Sequence, residues 1–471
     1  MERLKVGLLG LMQPNFRGNK QQVFDRCLKG LSELSEELDF DLYHVRKLVS
    51  DVEHTRSSLK ELESHGIELL LILNASFASG YLAQALFDFN GFLGFWAVPE
   101  EGEKGPLPLN SLCGMNLNIG LLRKKRPHRK FKWFYGYPDQ EIFKKRLVLT
   151  VEALSAIKRL RGKRILQIEG WAPGFDNLSY ESSDLYNHFG VIVERIGFEE
   201  FKKMILSQRS FEKTIDQMKK HFISIDDLSK QNLPKAAALV DAVKELRERG
   251  YEGFAISCWP YFRTHLSMVP CASFGFLNDL GITVACEGDV YGALSMLILR
   301  YLAECPSLIF DISHIDVDED LLLFWHCGLG SKCYSDKLWM ERHFNPGPFD
   351  PQKGWLTMAP VASMVIDKMP ATVMRICGDG DKIIFFKGEF FGNSKPSFDG
   401  SRGWFGKMSF AGKKLSVMDL INTIMTYGLE HHFCVVKEDW EEELFEFAYW
   451  SDLKILDPLS YKNYPSKIEG V

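Results

Sequence analysis

Ten cysteines are spread through the chain, yet no two form a CxxC pair and no regular spacing joins them. A disulfide framework is not expected, and the thiols read as reduced, as in a cytoplasmic protein. Neither sign of charge is in large excess. The 57 basic and 62 acidic residues leave a net −5, which argues against a nucleic-acid partner or an anionic membrane surface. No apolar stretch approaches the length of a membrane span. The short apolar run inside Met1–Leu11 has neither the charged flank nor the cleavage site of a secretory signal. After that run comes Gly10-Leu11-Met12-Gln13-Pro14, which lacks the G-x-G-x-x-G phosphate fingerprint, so a nicotinamide-dependent enzyme finds no support. Internal repeats and low-complexity segments are also missing.

What is present is a soluble globular composition, 46% hydrophobic and 25% charged, over 471 residues. That length calls for two or three domains. The first third alternates strand-like and helix-like segments: Lys5–Leu11, Leu42–Val49, Glu68–Leu73 and Phe92–Val98 read as strands, with helices between. This is the rhythm of an open α/β sheet, expected to fill residues 1–165. In such sheets ligands sit beyond the carboxyl ends of the strands, which places the loops Gln13–Lys20 and Asn74–Gly80 where a ligand would touch; simple turn chemistry is the plainer reading. A second α/β unit is expected over 166–345. It would contain the strands Arg164–Glu169, Gly253–Cys258, Ile282–Cys286 and Ser307–Ile312. Pro346, Pro348 and Pro351 mark a junction. Beyond it, Ala371–Ile376, Gly378-Asp379-Gly380-Asp381 and Lys382–Lys387 spell a β-hairpin, and 346–471 reads as a smaller β-rich, barrel-like domain.

Two acids stand at strand ends. Glu287 follows Ile282–Cys286, and Asp311 follows Ser307–Phe310. One helix connects the strands, so they read as parallel neighbours in a βαβ unit whose two carboxylates converge. Paired carboxylates in apolar surroundings are costly unless a cation neutralises them. The plainer reading is that each acid caps the next element, as Asp289 would for the helix after it. Histidines add to the first reading: His326 in Trp325-His326-Cys327-Gly328, and His431-His432 before the strand Phe433–Val436. Carboxylates with one or two histidines suit a hard or borderline ion such as Mn²⁺. Sequence spacing alone does not bring the C-terminal histidines to the acids.

The stretch Ala285-Cys286-Glu287-Gly288-Asp289, the helix after it and Phe310-Asp311 resemble the active-site region of the L-fucose and L-arabinose isomerase family. That family carries a Glu in an E-x-D motif, then a second acid one helix and one strand later. Its C-terminal histidine follows a small-residue turn and opens a strand. Tyr427-Gly428-Leu429-Glu430-His431-His432 is similar, with His432 in the family's register and His431 as the alternative. His326 falls where the arabinose isomerase branch has a further histidine. The resemblance covers the chain in outline and is specific from Ser257 to Gly328 and around His432; the C-terminal part is shorter than in fucose isomerases.

The resemblance implies a Mn²⁺-dependent aldose–ketose isomerase working on a free sugar through a cis-enediolate. Glu287 and Asp311 would serve both as metal ligands and as the acid–base pair, and His432 would complete the metal shell. Asp289 would orient a ligand or bound water. A hydride shift is the competing mechanism. The family also implies a closed homo-oligomer, perhaps a hexamer, with Arg17 and Lys20 reaching substrate or a neighbouring subunit. Trp259, Trp171 and Trp404 are candidates for an aromatic wall, with core packing the plainer role. Two alternatives stand beside this reading: a non-catalytic sugar-binding or regulatory protein of the same fold, and an isomerase for a modified hexose such as a sulfonated one.

Overall fold

The computed structural model describes residues 3–303, 305–343, 349–352 and 354–462. Of the junction prolines, Pro346 and Pro348 lie outside the described residues. The chain forms two compact units, divided between Lys158 and Arg159. No described helix is long and apolar enough to cross a membrane.

The first unit is built on five strands, β1 (Leu4–Leu11), β2 (Phe40–His44), β3 (Leu69–Asn74), β4 (Phe92–Ala97) and β5 (Lys132–Tyr135). They pair in the order β2-β1-β3-β4-β5, every pair parallel. Helices separate them in sequence, as crossovers between parallel strands require. β3 is buried throughout, which explains why Leu69–Ile72 reads as an unbroken apolar run. β5 was not expected. It is only four residues long, Lys132-Trp133-Phe134-Tyr135, and only Phe134 is buried.

The second unit holds both remaining layers. Strands β6 (Arg164–Ile168), β7 (Ile192–Ile196), β8 (Tyr251–Ile256) and β9 (Thr283–Cys286) form a parallel sheet in the order β9-β8-β6-β7. A closed antiparallel barrel follows. Its strands are β10 (Leu308–Asp316), β11 (Leu321–His326), β12 (Lys368–Cys377), β13 (Lys382–Phe391), β14 (Ser401–Phe410) and β15 (His432–Lys437). The ring runs β13-β12-β15-β10-β11-β14, and β14 pairs back onto β13. Closure removes the open edges that a sheet would otherwise expose. Phe310, Phe324, Phe390 and Phe405 fill the interior with mutual ring contacts. The helix Val290–Ala303 packs on β8 and β9 on one side and on β12 and β15 on the other. That explains why it is apolar almost all round.

One expectation is overturned here. Asp311 does not lie on a strand adjacent and parallel to the one before Glu287. β9 is an edge strand of the parallel sheet, whereas Asp311 sits in β10 of the barrel, antiparallel to β11 and β15. β10 runs four residues past Ile312 and turns through Asp316–Asp320 into β11. Its polar second half, Ser313-His314, hides that hairpin from a reading of apolar runs.

Candidate active site

The site forms where β9 ends against the rim of the barrel. After Cys286 the chain turns through Glu287 at φ 60° and Gly288 at φ 74°. A left-handed backbone is uncommon for a residue with a side chain and marks a constrained position. The Gly170–Ala172 loop after β6 holds the turn. The Ala172 N–H donates to the Glu287 carbonyl at 2.9 Å, and Gln167 Nε2 donates to the Gly288 carbonyl at 2.9 Å. A Cβ on Gly288 would lie 1.9 Å from the Gly170 oxygen, so no larger residue fits.

Asp289 is wholly buried. One oxygen accepts the Gly292 N–H at 2.7 Å, which caps the helix Val290–Ala303. The carboxylate also receives Arg375, at 2.8 and 3.2 Å, and His432 Nδ1 at 2.9 Å. The capping role and the orienting role are therefore combined in one side chain. Burial opposes the charge on Asp289, but Arg375 and His432 outweigh it and hold the carboxyl far below the usual range. An ionised Asp289 only accepts hydrogen bonds, so His432 Nδ1 carries the proton. In the neutral ring this leaves Nε2 as a lone pair.

His432 Nε2 faces two more acceptors, Glu287 Oε2 at 3.4 Å and Asp311 Oδ1 at 3.8 Å. The cross-strand register explains the meeting, because Asp311 in β10 lies directly opposite His432 in β15. Nε2 and Asp311 Oδ1 are buried atoms with no hydrogen-bond partner. Buried acceptors that point at one another without a shared proton call for a cation. The Glu287, Asp311 and His432 donor set of two oxygens and one nitrogen suits a hard or borderline divalent ion.

The neighbouring His431 differs. Its Nε2 lies 3.2 Å from Glu287 Oε2, and Asn177 Nδ2 approaches its Nδ1 at 3.3 Å. Burial works against a charged His431, and the bond to Glu287 with the Asp311 charge outweighs it, so its pKa is raised. Burial would likewise raise the Glu287 carboxyl; the His431 bond, with the imidazoles of His432 and His326 close by, reverses the sign. His326 is buried beside the pair, with Nε2 3.1 Å from Cys286 Sγ and its ring 5.8 Å from that of His432. Two groups bring all their ligand atoms within 4.8 Å of one another, Glu287–His431–His432 and Cys286–His326–His432. Asp311 belongs to neither and stands one step further out.

The aromatic candidates separate. Trp259 is exposed and stacks on Phe175 at 6.3 Å, and Phe175 presents its edge to His431 at 5.3 Å. Trp171 is half-buried in the loop that pins Glu287, its Nε1 donating to Asp176. Trp404 packs with Leu321 and Leu323 on the barrel. Arg17 and Lys20 stand in the first unit, in and just after the loop that follows β1, with Lys20 Nζ donating to the Phe16 carbonyl. Arg375 and Glu430 were missed. Arg375 Nε donates to Glu430 at 3.2 Å and Nη1 to the His432 carbonyl at 3.1 Å. The signal was an arginine in the middle of the apolar run Val373–Cys377, where only a paired charge is tolerated.

No family model matches the chain. Its similarity to curated proteins puts it with the sugar isomerases, intramolecular oxidoreductases that interconvert aldose and ketose. The relatives are named sulfoquinovose isomerase. Those of Priestia aryabhattai and Priestia megaterium are 25% identical over 416 residues, 85% of this chain and 88% of theirs. That of Alkalicoccus urumqiensis is 25% identical over 400 residues, 83% of this chain and 86% of its own. A solved arabinose binding protein from Geobacillus stearothermophilus aligns at 12% identity over 64% of this chain and 88% of that one, with a TM-score of 0.17, too low to bear on the fold.

Proposed function

We propose that this chain is a divalent-metal-dependent isomerase of the fucose and arabinose isomerase type, acting on a free hexose that bears a sulfonate. One observation carries the reading: His432 Nε2 lies 3.4 Å from Glu287 Oε2 and 3.8 Å from Asp311 Oδ1, and Nε2 and Oδ1 are buried and without hydrogen-bond partners. The relatives' name supports the substrate class.

When bound there, a divalent cation such as Mn²⁺ would supply Lewis-acid charge to the two sugar oxygens whose roles exchange. The chain's own groups do the rest. A carboxylate of the Glu287–Asp311 pair takes the proton from the carbon beside the carbonyl and returns it to the former carbonyl carbon, while the hydroxyl proton of the first carbon passes to the former carbonyl oxygen. The side chain of Asp311 is 30% exposed and that of Glu287 18%, so both are open to a ligand while largely screened from water. His431 donates to Glu287 and holds its carboxylate in place. Asp289, locked by Arg375, fixes the His432 ring and its tautomer. Trp259 and Phe175 offer apolar faces for the sugar's C–H surface.

The test is incubation of the metal-stripped chain with sulfoquinovose and with neutral hexoses, with and without Mn²⁺, read by NMR. The ketose should form only with metal, with solvent deuterium on the carbon next to the carbonyl. Turnover equal in the presence of a strong chelator would overturn the metal-dependent reading.

A further inference from the structure

The barrel face that carries Asp311 continues beyond it. Directly opposite residues in an antiparallel pair point to the same side of the sheet. His432 lies opposite Asp311, Asp311 opposite Trp325, and Trp325 opposite Arg402. These four residues form one row across β15, β10, β11 and β14, on the side away from the phenylalanine-filled interior. Arg402 stands two strand spacings from Asp311, about 10 Å. That matches the separation between the reacting end of a six-carbon sugar and a group on its far end.

Arg402 is unusual among the cations of this face. It is half-buried, yet no carboxylate lies within ion-pair distance among the described residues. Its Nε donates to Ser397 Oγ at 3.3 Å, and Nη1 donates to the Gly400 carbonyl at 2.6 Å and Ser363 Oγ at 3.2 Å. All three partners are neutral, and Nη2 has none among the described residues. By contrast, Lys395 on the same face is paired with Asp316 and Glu319. Burial pushes Arg402 below the ordinary guanidinium value, and the more distant Asp399 and Glu341 only offset this in part. A half-buried cation held in place by neutral groups, with its Nη2 amino group unused among the described residues, lacks a counter-anion. The free Nη2 of this guanidinium offers charge-assisted N–H donors to the oxygens of a tetrahedral oxyanion.

We infer that Arg402 forms a subsite for the terminal anionic group of the sugar, with Trp325 as the floor between that subsite and Asp311. The inference rests on the isomerase reading above and deepens it. It commits to a sulfonate monoanion, because one guanidinium balances one charge; a phosphate ester is the competing source of the same chemistry.

The experiment compares wild type, Arg402→Gln, Arg402→Lys and Arg263→Gln with Mn²⁺ on sulfoquinovose, glucose 6-phosphate and glucose. Arg263 is the control cation: it too has no carboxylate partner among the described residues, but its guanidinium is engaged by His343 at 3.2 Å. In Arg402→Gln the preference in kcat/KM for sulfoquinovose over glucose should fall by about 10- to 100-fold, the range of a hydrogen-bonded charge. The loss should lie mostly in KM, and Arg402→Lys should recover part of it. Calorimetric binding of sulfoquinovose should weaken in parallel, while thermal unfolding reports whether each variant is folded. Equal losses on all sugars, an unchanged preference, or a loss confined to Arg263→Gln would overturn the inference. A wild-type preference for glucose 6-phosphate would reject the sulfonate assignment. If wild type isomerises no sugar, the isomerase reading fails, and loss of calorimetric binding in Arg402→Gln then decides the subsite alone.

Discussion

At the scale of single residues, catalysis and metal binding can be separated. On the proposed reading, Glu287→Gln keeps the shape but would remove the base, and a neutral amide is a poorer ligand for a hard cation. On the same reading, His432→Ala would weaken metal binding and leave both acids. Excess Mn²⁺ should therefore restore part of the activity of the His432 variant by mass action and none of that of the Glu287 variant. Full activity of Glu287→Gln at saturating metal would remove it as base. Arg375→Met should cost about 3–5 kcal/mol of stability, because it strands Asp289 as a buried charge. The same pair sets a pH dependence. The Asp289 pKa is depressed in the folded chain, so its contribution is full above the unfolded value of about 4 and is lost as pH falls toward the lower folded value. Urea unfolding at pH 7 and pH 3 should show the gap between wild type and Asp289→Asn narrowing in acid; a gap that widens would contradict the depressed pKa. Glu287, Asp289 and Asp311 were legible because acids that end apolar strands are conspicuous. Arg375, Asn177 and Gln167 were not, since their partners lie far away in sequence.

At the scale of elements, the turn after β9 is the piece on which the site depends. Gly288→Ala would need a left-handed backbone and would meet the Gly170 carbonyl. Moving the Gly170–Ala172 loop would release the Glu287 carbonyl from Ala172. Activity should fall by at least about tenfold with a loss of about 1–3 kcal/mol in stability, the range of one strained backbone position. Unchanged kinetics in a folded Gly288→Ala would show that the turn does not need this shape. In the barrel, Phe324→Ala should cost about 3–5 kcal/mol in denaturant unfolding, since Phe324 touches Phe310, Phe390 and Phe405 in the closed interior. The longer amphipathic helices such as Lys20–Glu37 and the β12–β13 hairpin were legible from periodicity and the Gly-Asp turn, whereas Ser111–Lys125 and the helices between Ser182 and His221 were not read. The β10–β11 hairpin was not, because β10 becomes polar beyond Asp311.

At the scale of the whole molecule, the family resemblance predicts a closed homo-oligomer, and light scattering at working concentration should show one; a monomer would contradict it. The sequence by itself determined the α/β character of the first two thirds, the β-rich end and the acids and histidines that meet at the candidate site, because periodicity, turn residues and acids at strand ends are local signals; the short strands β5 and β7 were not among them. Only the tertiary structure decided which strands share a sheet. Barrel closure takes β10 and β11 from before the prolines and joins them to β15, which sets Asp311 opposite His432 and Arg402 in the same row. The reason is physical: strand pairing satisfies backbone hydrogen bonds between segments more than a hundred residues apart, and no local pattern records which partner a strand will choose.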